Sequence, residues 1–579
     1  MGQSRRQAEM AVREFMTIDG VPVEIAGEKN ILELIRKAGI DMPAFCYNSD
    51  LSVYGACRMC MVEIDGGGLD SSCSSIPKPG MVIRTNTKRL RNYRKNILEL
   101  LLSNHCRDCT TCEKSKNCKL QELALRFDLG DVRFPNTNAV PRLDESSLCI
   151  IRDESKCILC GDCIRMCNEV QSVGAIDFAG RGAKMRVSPV FGEPIGKSPC
   201  VGCGQCAAVC PTGAITVRND TDKIWAALDD RNTKVTVQIA PAVRVAVTRE
   251  FGFARRENAI GLIVAALRRM GFDEIYDTAT GADITVLEEA NEFLKRVENG
   301  EGGGMPLFTS CCPAWIQFVE KKYPELLPHI STCRSPMQMF AAVIREESNL
   351  ATSKPHVHVA VMPCTAKKFE AARDEFKVNG KPQVDYVITT QELIKMIRES
   401  GIIMTTLQPE AVDMPFGTIS GAGVIFGVSG GVTEAVLRRV TTDKSAGTLM
   451  SLGWTGVRGM EGLKTTTIPF GDKQLKIAIV SGLKNTADLI ERIKSGEEHY
   501  DFVEVMSCPG GCVSGAGQPS VGWEEKLSRG QGLYAADKLC NVKRSEENPL
   551  MIELYGGLLK GKVHELLHVD YLHKEAHHA

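Results

Sequence analysis

The sequence predicts a multidomain protein, α+β over residues 1–222 and α/β over residues 223–579. Three observations predict it. The chain has 579 residues, which is more than one hydrophobic core usually holds. Seventeen of its 24 cysteines precede residue 211, mostly in CxxC-type groups. After about Ile224, short β-rich runs alternate with helix-like segments, which is typical of α/β domains with largely parallel sheets.

The composition is that of an ordinary soluble globular protein, with 43% apolar and 24% charged residues. The net charge of −1 gives no reason to expect nucleic acid or a membrane surface as a partner. The first fifteen residues lack the apolar core of a secretory signal, and no window approaches the roughly 20 apolar residues of a membrane helix. We therefore expect a cytoplasmic protein. In a reducing compartment, cysteines grouped at short spacing indicate metal or cluster ligation rather than disulfides.

The first cysteine group follows a hairpin and a short helix. Residues 1–14 are predicted to be a flexible tail, Asp19-Gly20 the turn of a hairpin, and residues 31–38 a helix with an apolar stripe. One CxxC flanked by two distant cysteines suits a 2Fe–2S ferredoxin-like domain, assigned to residues 15–93, although the first gap is longer than in the plant spacing. Its candidate ligands are Cys46, Cys57, Cys60 and Cys73.

The second group, over residues 94–140, contains a histidine and three cysteines in the spacing His105-x3-Cys109-x2-Cys112-x5-Cys118. A lone histidine is more often a surface or capping residue than a ligand. Cys106 competes for the same role, so the spacing alone leaves the fourth ligand open between His105 and Cys106.

Two further runs, over residues 141–222, repeat one motif. Each has the spacing Cys-x2-Cys-x2-Cys-x3-Cys of bacterial 2[4Fe–4S] ferredoxins, in which the fourth cysteine of each run ligates the other cluster. Structural zinc is the rival interpretation, but it usually pairs one CxxC with another or with histidines at longer spacing. The predicted ligand sets are Cys157, Cys160, Cys163 and Cys210 for one cluster and Cys200, Cys203, Cys206 and Cys167 for the other.

In the last region, cysteines directly follow three of the predicted strands. The strands are predicted at 235–240, 306–310, 357–362, 476–480 and 502–506. Cys311 and Cys312 follow the second, Cys364 the third and Cys508 the fifth. Because ligand sites in open α/β sheets lie at the carboxyl ends of strands, these three motifs are expected to converge on one site.

Three segments carrying these cysteines resemble the signature motifs of FeFe hydrogenases: TSCCPAW at 309–315, MPCTAKKFE at 362–370 and EVMSCPGGC at 504–512. The first 210 residues resemble the N-terminal part of multi-cluster FeFe hydrogenases and of the large iron–sulfur subunit of respiratory complex I. The resemblance implies His105 as the fourth ligand beside Cys109, Cys112 and Cys118. It also implies a β-grasp 2Fe–2S domain, a small His/Cys cluster domain, a bacterial 2[4Fe–4S] ferredoxin domain and a two-lobed α/β H-cluster domain.

The same resemblance implies the cofactors: one 2Fe–2S cluster, three 4Fe–4S clusters and an H-cluster, which is a 4Fe–4S cluster joined to a two-iron subsite with CO, cyanide and a dithiolate amine. Four cysteines would hold the 4Fe–4S part, and Cys512 would also bridge to the subsite. The chemistry agrees, because thiolates suit iron–sulfur clusters. These ligands are Cys312, Cys364, Cys508 and Cys512.

Further residues take roles from the resemblance. Cys311 would exchange protons with the bridging amine, and the proton route would continue through Glu289, Ser331, Glu292 and Arg296. Without the resemblance, the one-sided spacing of Glu289, Glu292 and Arg296 favours a solvated helix face. Lys367 would bind a cyanide ligand. The residues expected to pack beside the cluster are Met362, Met506, Ala240 and Pro241, although plain core packing explains the methionines nearly as well.

The predicted reaction is reversible hydrogen oxidation, 2H⁺ + 2e⁻ ⇌ H₂. The 2Fe–2S domain and the motif RSPMQ at 334–338 resemble those of complex-forming members of the family, and this resemblance favours the catalytic subunit of an NAD(P)-linked complex of the kind that includes electron-bifurcating enzymes. A standalone ferredoxin-dependent hydrogenase is the alternative, and a non-catalytic hydrogen sensor or iron–sulfur assembly protein is a weaker one. Expected partners are ferredoxin, flavin- and NAD(P)-binding iron–sulfur subunits, and hydrogenase maturation proteins, with no nucleic acid and no membrane span.

Some signals are set aside. HELLH at 564–568 matches a zinc-protease pattern but has no obvious third ligand. Segment 427–431 lacks the complete dinucleotide-binding fingerprint. The chain departs from the commonest hydrogenase motifs at Ala314, Ala516, Ser507 and Met337. The remaining cysteines, expected to be packing residues, are Cys106, Cys149, Cys333 and Cys540.

Overall fold

The computed structural model describes residues 13–136, 142–253, 259–300, 304–351, 354–441, 443–471 and 473–571. Of the predicted tail, residues 1–12 lie outside these ranges, and the first strand begins at Glu14, one residue before the predicted domain start. Within the described ranges, no helix combines the length and the apolar character that crossing a membrane requires.

The first region is a five-stranded mixed sheet with a helix packed on it. Its strand order is β2-β1-β5-β3-β4, with β1 parallel to β5. The predicted hairpin turn is confirmed, because Asp19 and Gly20 both have positive φ, as a tight two-residue turn requires. Asn30 caps the helix by accepting a hydrogen bond from the Glu33 backbone. The elements are β1 Glu14–Ile18, β2 Val21–Ile25, α1 Ile31–Lys37, β3 Met61–Ile64, β4 Gly68–Ser71 and β5 Val82–Arg84.

Among the described residues, four α-helices and two small sheets follow this region along the chain. One sheet has the order β10-β7-β6, and in the other β8 pairs with β9. The elements are α2 Lys88–Ser103, α3 Lys119–Arg126, β6 Leu143–Asp144, β7 Ile150–Asp153, α4 Asp162–Arg165, β8 Asp177–Ala179, β9 Arg186–Ser188, α5 Gln205–Val209 and β10 Ile215–Val217. The predicted domain boundary after residue 93 falls inside α2, and the one at residue 140 lies outside the described residues.

The remaining residues form two α/β lobes. The strands are β11 Lys234–Ile239, β12 Glu274–Asp277, β13 Leu307–Phe308, β14 His356–Met362, β15 Lys377–Val378, β16 Lys381–Pro382, β17 Tyr386–Thr389, β18 Leu463–Phe470, β19 Lys473–Ser481 and β20 Phe502–Met506. One lobe contains the parallel sheet β12-β11-β14-β17. The other contains β13-β20-β19-β18, in which only β18 runs antiparallel. The five predicted strands are therefore confirmed, in largely parallel sheets.

Helices cover both sheets. They are α6 Thr221–Asp229, α7 Val243–Glu250, α8 Ile260–Met270, α9 Ala279–Asn299, α10 Pro313–Lys322, α11 Pro336–Ala351, α12 Ala366–Ala372, α13 Thr390–Glu399, α14 Gly421–Val424, α15 Gly431–Val440, α16 Ala446–Leu452, α17 Leu483–Lys494, α18 Trp523–Leu539, α19 Pro549–Gly556 and α20 Val563–Leu567. The predicted boundary after residue 222 falls inside α6. The long helix α9 contacts α11, α14 and α15, and its first half is almost wholly buried.

Candidate metal centres and active site

The cysteines of the first group converge on one point. The Cys57 backbone N–H donates to Cys46 Sγ at 3.3 Å. The side chain of Cys46 interacts with Cys57 and that of Cys73 with Cys60, and Cys73 also lies within electrostatic range of Cys46 and Cys57. The hydrogen bond within each pair lowers the pKa of Cys57 and Cys60 and raises the pKa of their partners Cys46 and Cys73. Each pair therefore shares one proton between two closely spaced sulfurs.

The histidine group surrounds a cavity lined by His105, Cys106, Cys109, Cys112 and Cys118. The Arg107 backbone N–H donates to His105 Nδ1 at 3.0 Å, whereas Nε2 is buried and has no hydrogen-bond partner among the described residues. Burial lowers the pKa of His105. Buried polar atoms normally find partners, so an unpartnered Nε2 in a residue that lines the cysteine cavity makes His105 a candidate ligand; ligation through Nε2 would require the ring hydrogen to lie on Nδ1. Cys106 remains the competing side chain in the same cavity.

The two ferredoxin-type runs line two separate cavities, and each cavity takes its fourth cysteine from the other run. Cys157, Cys160, Cys163 and Cys210 line one, and Cys167, Cys200, Cys203 and Cys206 line the other. This is the exchange that the spacing predicts. Burial raises the pKa of Cys157 to about 11 and also raises the pKa of Cys160 and Cys163, an effect that a bound cation would reverse.

The last site lies where three strands end. Cys312 precedes α10, Cys364 follows β14, and Cys508 and Cys512 follow β20. The four thiols lie within electrostatic range of one another; Cys312, Cys364 and Cys508 are buried and Cys512 is half-buried. Burial raises the pKa of Cys508 to about 11 and of Cys512 to about 12. Cys312 Sγ donates to Ser507 Oγ at 3.4 Å, and Ser507 Oγ lies 3.8 Å from Cys508 Sγ. The predicted convergence of the strand ends is confirmed by this geometry.

Glycine allows the tight turn between Cys508 and Cys512. Gly510 and Gly511 have φ of 82° and 90°, which side chains rarely adopt. A Cβ at Gly511 would lie 2.5 Å from the Ser429 backbone nitrogen. The turn therefore depends on glycine both for its dihedral angles and for its contact with the loop before α15.

Cys311 is the spare thiol beside this group. Burial raises the pKa of Cys311, and the nearby negative charges of Glu289 and Cys312 raise it further. The Lys367 Nζ donates to the Cys311 backbone carbonyl at 3.3 Å and to Glu370 at 2.7 Å. Burial alone would lower the pKa of Lys367, but the charge and hydrogen bond of Glu370 raise it more. The lysine therefore stays charged beside the thiols.

Glu289 is a fully buried carboxyl group of α9, and within the described part of the chain neither of its oxygens has a close hydrogen-bond partner. Burial, with Glu292 and Glu504 nearby, raises its pKa to about 8. Ser331 donates to Glu292 Oε2 at 2.8 Å. Arg296 contacts the Met305 carbonyl at 3.1 Å and His329 Nδ1 at 2.8 Å.

The predicted packing residues are all buried at the strand ends. Met506 shares a core with Cys312 and Cys364, and Met362 and Ala240 lie together in the core of the other lobe. Pro241 is also buried. This placement agrees with contact to a cluster and equally with core packing.

Gln205 is a further residue of this site, and nothing in the sequence indicated it. Its Nε2 donates to Cys508 Sγ at 3.1 Å. Glu504 was also missed, although a carboxylate inside the apolar strand β20 is a signal. It accepts bonds from Gly430 and Thr433 at 2.6–2.8 Å.

Residues 233–516 match the family described as iron only hydrogenase large subunit, C-terminal domain, and residues 524–574 match iron hydrogenase small subunit. Over 97% of its length, the chain is 40% identical to the NADP-reducing hydrogenase subunit HndD of Solidesulfovibrio fructosivorans, covering 99% of that protein. The chain belongs to the iron-only, or FeFe, hydrogenase family.

Other similarities extend over the N-terminal regions of this FeFe hydrogenase. Residues 15–88 match a 2Fe–2S iron–sulfur cluster binding domain, 94–133 the NADH-ubiquinone oxidoreductase-G iron–sulfur binding region, and 156–222 a 4Fe–4S dicluster domain. Iron hydrogenase 1 of Clostridium pasteurianum is 34% identical over 96% of this chain and 99% of that protein.

Among solved structures, a variant of the FeFe hydrogenase HydA1 from Chlamydomonas reinhardtii is similar, with a TM-score of 0.53 and 37% identity over 61% of this chain and 99% of that one. The enzyme thus catalyses reversible hydrogen oxidation with an iron–sulfur electron relay, and it uses 2Fe–2S clusters, 4Fe–4S clusters and an H-cluster.

Proposed function

We propose that Cys312, Cys364, Cys508 and Cys512 ligate the H-cluster, with Cys512 bridging to its two-iron subsite, and that Cys311 carries protons to and from it. The observation that carries this proposal is a fifth, half-buried thiol beside four converging ones, next to the buried carboxyl group of Glu289. Four thiols satisfy a 4Fe–4S cluster, so Cys311 is free for acid–base work. The H-cluster supplies the redox-active irons and an amine base.

The chain's own residues would then hold and move the proton. Cys311 holds it as a thiol, and the charged Lys367 fixes the backbone at that residue and neutralises nearby negative charge. Met362, Met506, Ala240 and Pro241 would exclude water around the cluster. Glu289 is the next proton carrier, because its pKa of about 8 lets it both accept and donate near neutral pH.

From Glu289 the proton would pass to Ser331 and Glu292. Ser331 faces Glu289 at longer range and is hydrogen-bonded to Glu292. Arg296, one turn further along α9, would mark the exit toward solvent by its charge. A guanidinium group does not release its proton in a protein, so its role is electrostatic.

We propose one 2Fe–2S and three 4Fe–4S clusters in addition to the H-cluster. The mixed sheet β1–β5 supports the predicted β-grasp domain around the 2Fe–2S ligands. The proposed 2Fe–2S centre and the proposed His105 centre are the two outer centres of the relay. The first lies next to the centre held by Cys157, Cys160, Cys163 and Cys210, because Cys46 and Cys160 pack in the same group of core residues. The second lies next to it as well, because Lys156 and Gly213, which flank those cysteines in sequence, line the His105 cavity. The electron relay is therefore branched at its outer end. Its inner end is the Cys200 centre, whose loop contacts Thr365 and Gln317 of the catalytic lobes.

We further propose that the chain is the catalytic subunit of an NAD(P)-linked complex. The name of the relative HndD, an NADP-reducing hydrogenase subunit, supports this, as do two outer centres that offer two docking points. Flavin- and NAD(P)-binding iron–sulfur subunits, or ferredoxin, would deliver electrons there, and maturation proteins would assemble the H-cluster. Recovery of such subunits in a native pull-down tests the proposal. Full activity of the isolated chain with reduced ferredoxin alone would favour the standalone alternative.

Matured protein is expected to contain about 20 irons per chain, from one 2Fe–2S cluster, three 4Fe–4S clusters and a six-iron H-cluster. Infrared spectra are expected to show CO and cyanide bands, which no protein group produces. Iron analysis and infrared spectroscopy on the same sample check both. About ten irons, or a spectrum without those bands, would contradict the proposed ligand sets.

Gln205→Leu is expected to lower the reduction potential of the cluster held by Cys508. The amide donates to Cys508 Sγ at 3.1 Å, and a hydrogen bond to a ligand sulfur stabilises the reduced cluster. A net hydrogen bond of about 1 kcal/mol corresponds to a shift of roughly 20–60 mV. Spectroscopically monitored redox titration measures it. Gln171→Leu is the matched control, because Gln171 donates to the Ser507 carbonyl and not to a sulfur; equal shifts in both variants would remove the assignment.

A further inference from the structure

Three side chains of metal-ligand type meet at the outer end of the proposed proton route. They are Glu292, Cys333 and His568, and one ligand atom from each lies within 4.8 Å of the other two. Glu292 comes from α9, Cys333 from the segment before α11, and His568 directly follows α20. A backbone bridge joins Cys333 and His568, so the meeting is fixed by the fold.

The spacing between the first two side chains suits a tetrahedral metal site. Cys333 is fully buried, and its Sγ donates to Glu292 Oε2 at 3.7 Å. With Zn–S bonds of about 2.3 Å and Zn–O bonds of about 2.0–2.2 Å, neighbouring ligand atoms in a tetrahedral site lie roughly 3.5 Å apart. The thiol and the carboxylate therefore already stand near the separation that two ligands of one ion need.

His568 has the second partner that metal-binding histidines usually have. Its Nε2 lies 3.1 Å from the carboxylate of Glu288, which also accepts a hydrogen bond from the Tyr555 hydroxyl. This partner keeps the hydrogen on Nε2 and leaves the Nδ1 lone pair available. Nδ1 accepts from Thr332 Oγ1 at 2.8 Å, and the same hydroxyl lies 3.3 Å from Glu292 Oε2. The Thr332 hydroxyl therefore bridges Nδ1 and the Glu292 carboxylate, and a bound ion would replace it as the partner of Nδ1.

We propose that Glu292, Cys333 and His568 bind a divalent transition-metal ion such as Zn²⁺, and that the bound ion slows proton transfer. Binding releases the Cys333 proton and forms bonds from the metal to sulfur, oxygen and nitrogen, with no change of oxidation state. The ion takes the Glu292 oxygen that accepts the Ser331 hydrogen bond at 2.8 Å. The slowing rests on the proposed route through Glu292, whereas the binding site does not.

The test is a Zn²⁺ titration of the anaerobic holoenzyme. Hydrogen evolution is expected to fall about tenfold or more at saturation, because a general acid–base step is worth roughly 10²–10⁴-fold. Zinc analysis after desalting is expected to find one tightly held ion per chain, with the visible absorption of the clusters unchanged. Mg²⁺, which prefers an octahedral set of oxygen ligands, is expected to have no such effect.

Variants distinguish inhibition at this site from inhibition elsewhere. For each variant, the rate with zinc is divided by the rate of the same variant without zinc. Cys333→Ser and His568→Gln each remove a ligand and are expected to raise the inhibitory zinc concentration at least about tenfold. Glu288→Gln is expected to raise it about 10- to 100-fold. The control His499→Gln changes an exposed histidine that contacts Gly304 and Asp501 instead, and it keeps the wild-type sensitivity.

Two results would overturn the proposal in different ways. The proposed metal site would be wrong if wild type, Cys333→Ser and His568→Gln were equally sensitive to zinc, or if no zinc were retained. The proton route through Glu292 would still stand if Glu292→Gln slowed turnover. One retained zinc without any slowing would overturn the inhibition and count against Glu292 as a proton carrier.

Discussion

Cys311→Ala is expected to retain the iron of the wild-type enzyme and to lose about 10²–10⁴-fold in turnover. The thiol is one residue from the proposed ligand Cys312, yet it is the fifth thiol at a four-thiol centre. Its removal deletes the proton carrier nearest the cluster and leaves the four ligands in place. Cys311→Ser is expected to be similarly inactive, because a serine hydroxyl does not ionise near neutral pH.

Three measurements check this prediction on one preparation: hydrogen evolution, total iron and infrared bands. Cys540→Ala is the matched control, since Cys540 is a half-buried thiol that contacts only the Ala536 carbonyl among the hydrogen bonds described for it. It is expected to keep full turnover. Full turnover in Cys311→Ala would exclude its proton role. Loss of iron in that variant would instead make Cys311 a ligand.

The cysteine groups that we propose as ligands could be located from the sequence because their spacing is local. Fixed spacing within each run identifies the iron–sulfur type, and strand ends followed directly by cysteine predict where distant runs meet. The structure confirms that Cys312, Cys364 and Cys508 come together from separate strands. The mutual exchange of Cys167 and Cys210 between two cavities follows from the duplicated motif in the same way.

What surrounds the ligands was not predictable, because it depends on contacts between distant segments. Gln205 and Cys508 are 303 residues apart, and Thr332 and His568 are 236 apart. Neither pair has a spacing rule, and amides and hydroxyls are common at surfaces. HELLH at 564–568 likewise has no partner that a spacing rule would identify, so the sequence shows it only as an isolated protease pattern. In the fold, His568 directly follows α20 and pairs with Glu288 of α9.

Glu289→Gln is expected to have effects of opposite sign on turnover and on stability. Glutamine keeps the shape of the side chain but cannot release a proton, so turnover is expected to fall about 10²–10⁴-fold, as for Cys311→Ala. Stability is expected to rise above neutral pH, because the wild-type carboxyl group must then be charged inside a fully buried site.

The sign follows from proton linkage. Burial raises the pKa of Glu289 from 4.5 to about 8, so the folded state holds its proton more tightly than the unfolded state. This contribution to stability is fully present below pH 4.5, declines as the pH rises, and is lost once the pH passes about 8. At about 1.4 kcal/mol per pKa unit, the loss is at most about 5 kcal/mol.

Unfolding temperatures of wild type and Glu289→Gln, measured anaerobically from pH 5 to pH 9 at one scan rate, test this linkage. The two are expected to agree at the acid end and to diverge as the pH rises, with the variant more stable. Glu288→Gln provides the contrast, because hydrogen bonds from His568 and Tyr555 outweigh burial and lower the pKa of Glu288. The Glu288→Gln variant is therefore expected to be less stable than wild type at neutral and higher pH. Parallel curves for wild type and Glu289→Gln would mean that the buried carboxyl group is already charged at pH 5, and Glu289 would then be a poor proton donor to Cys311.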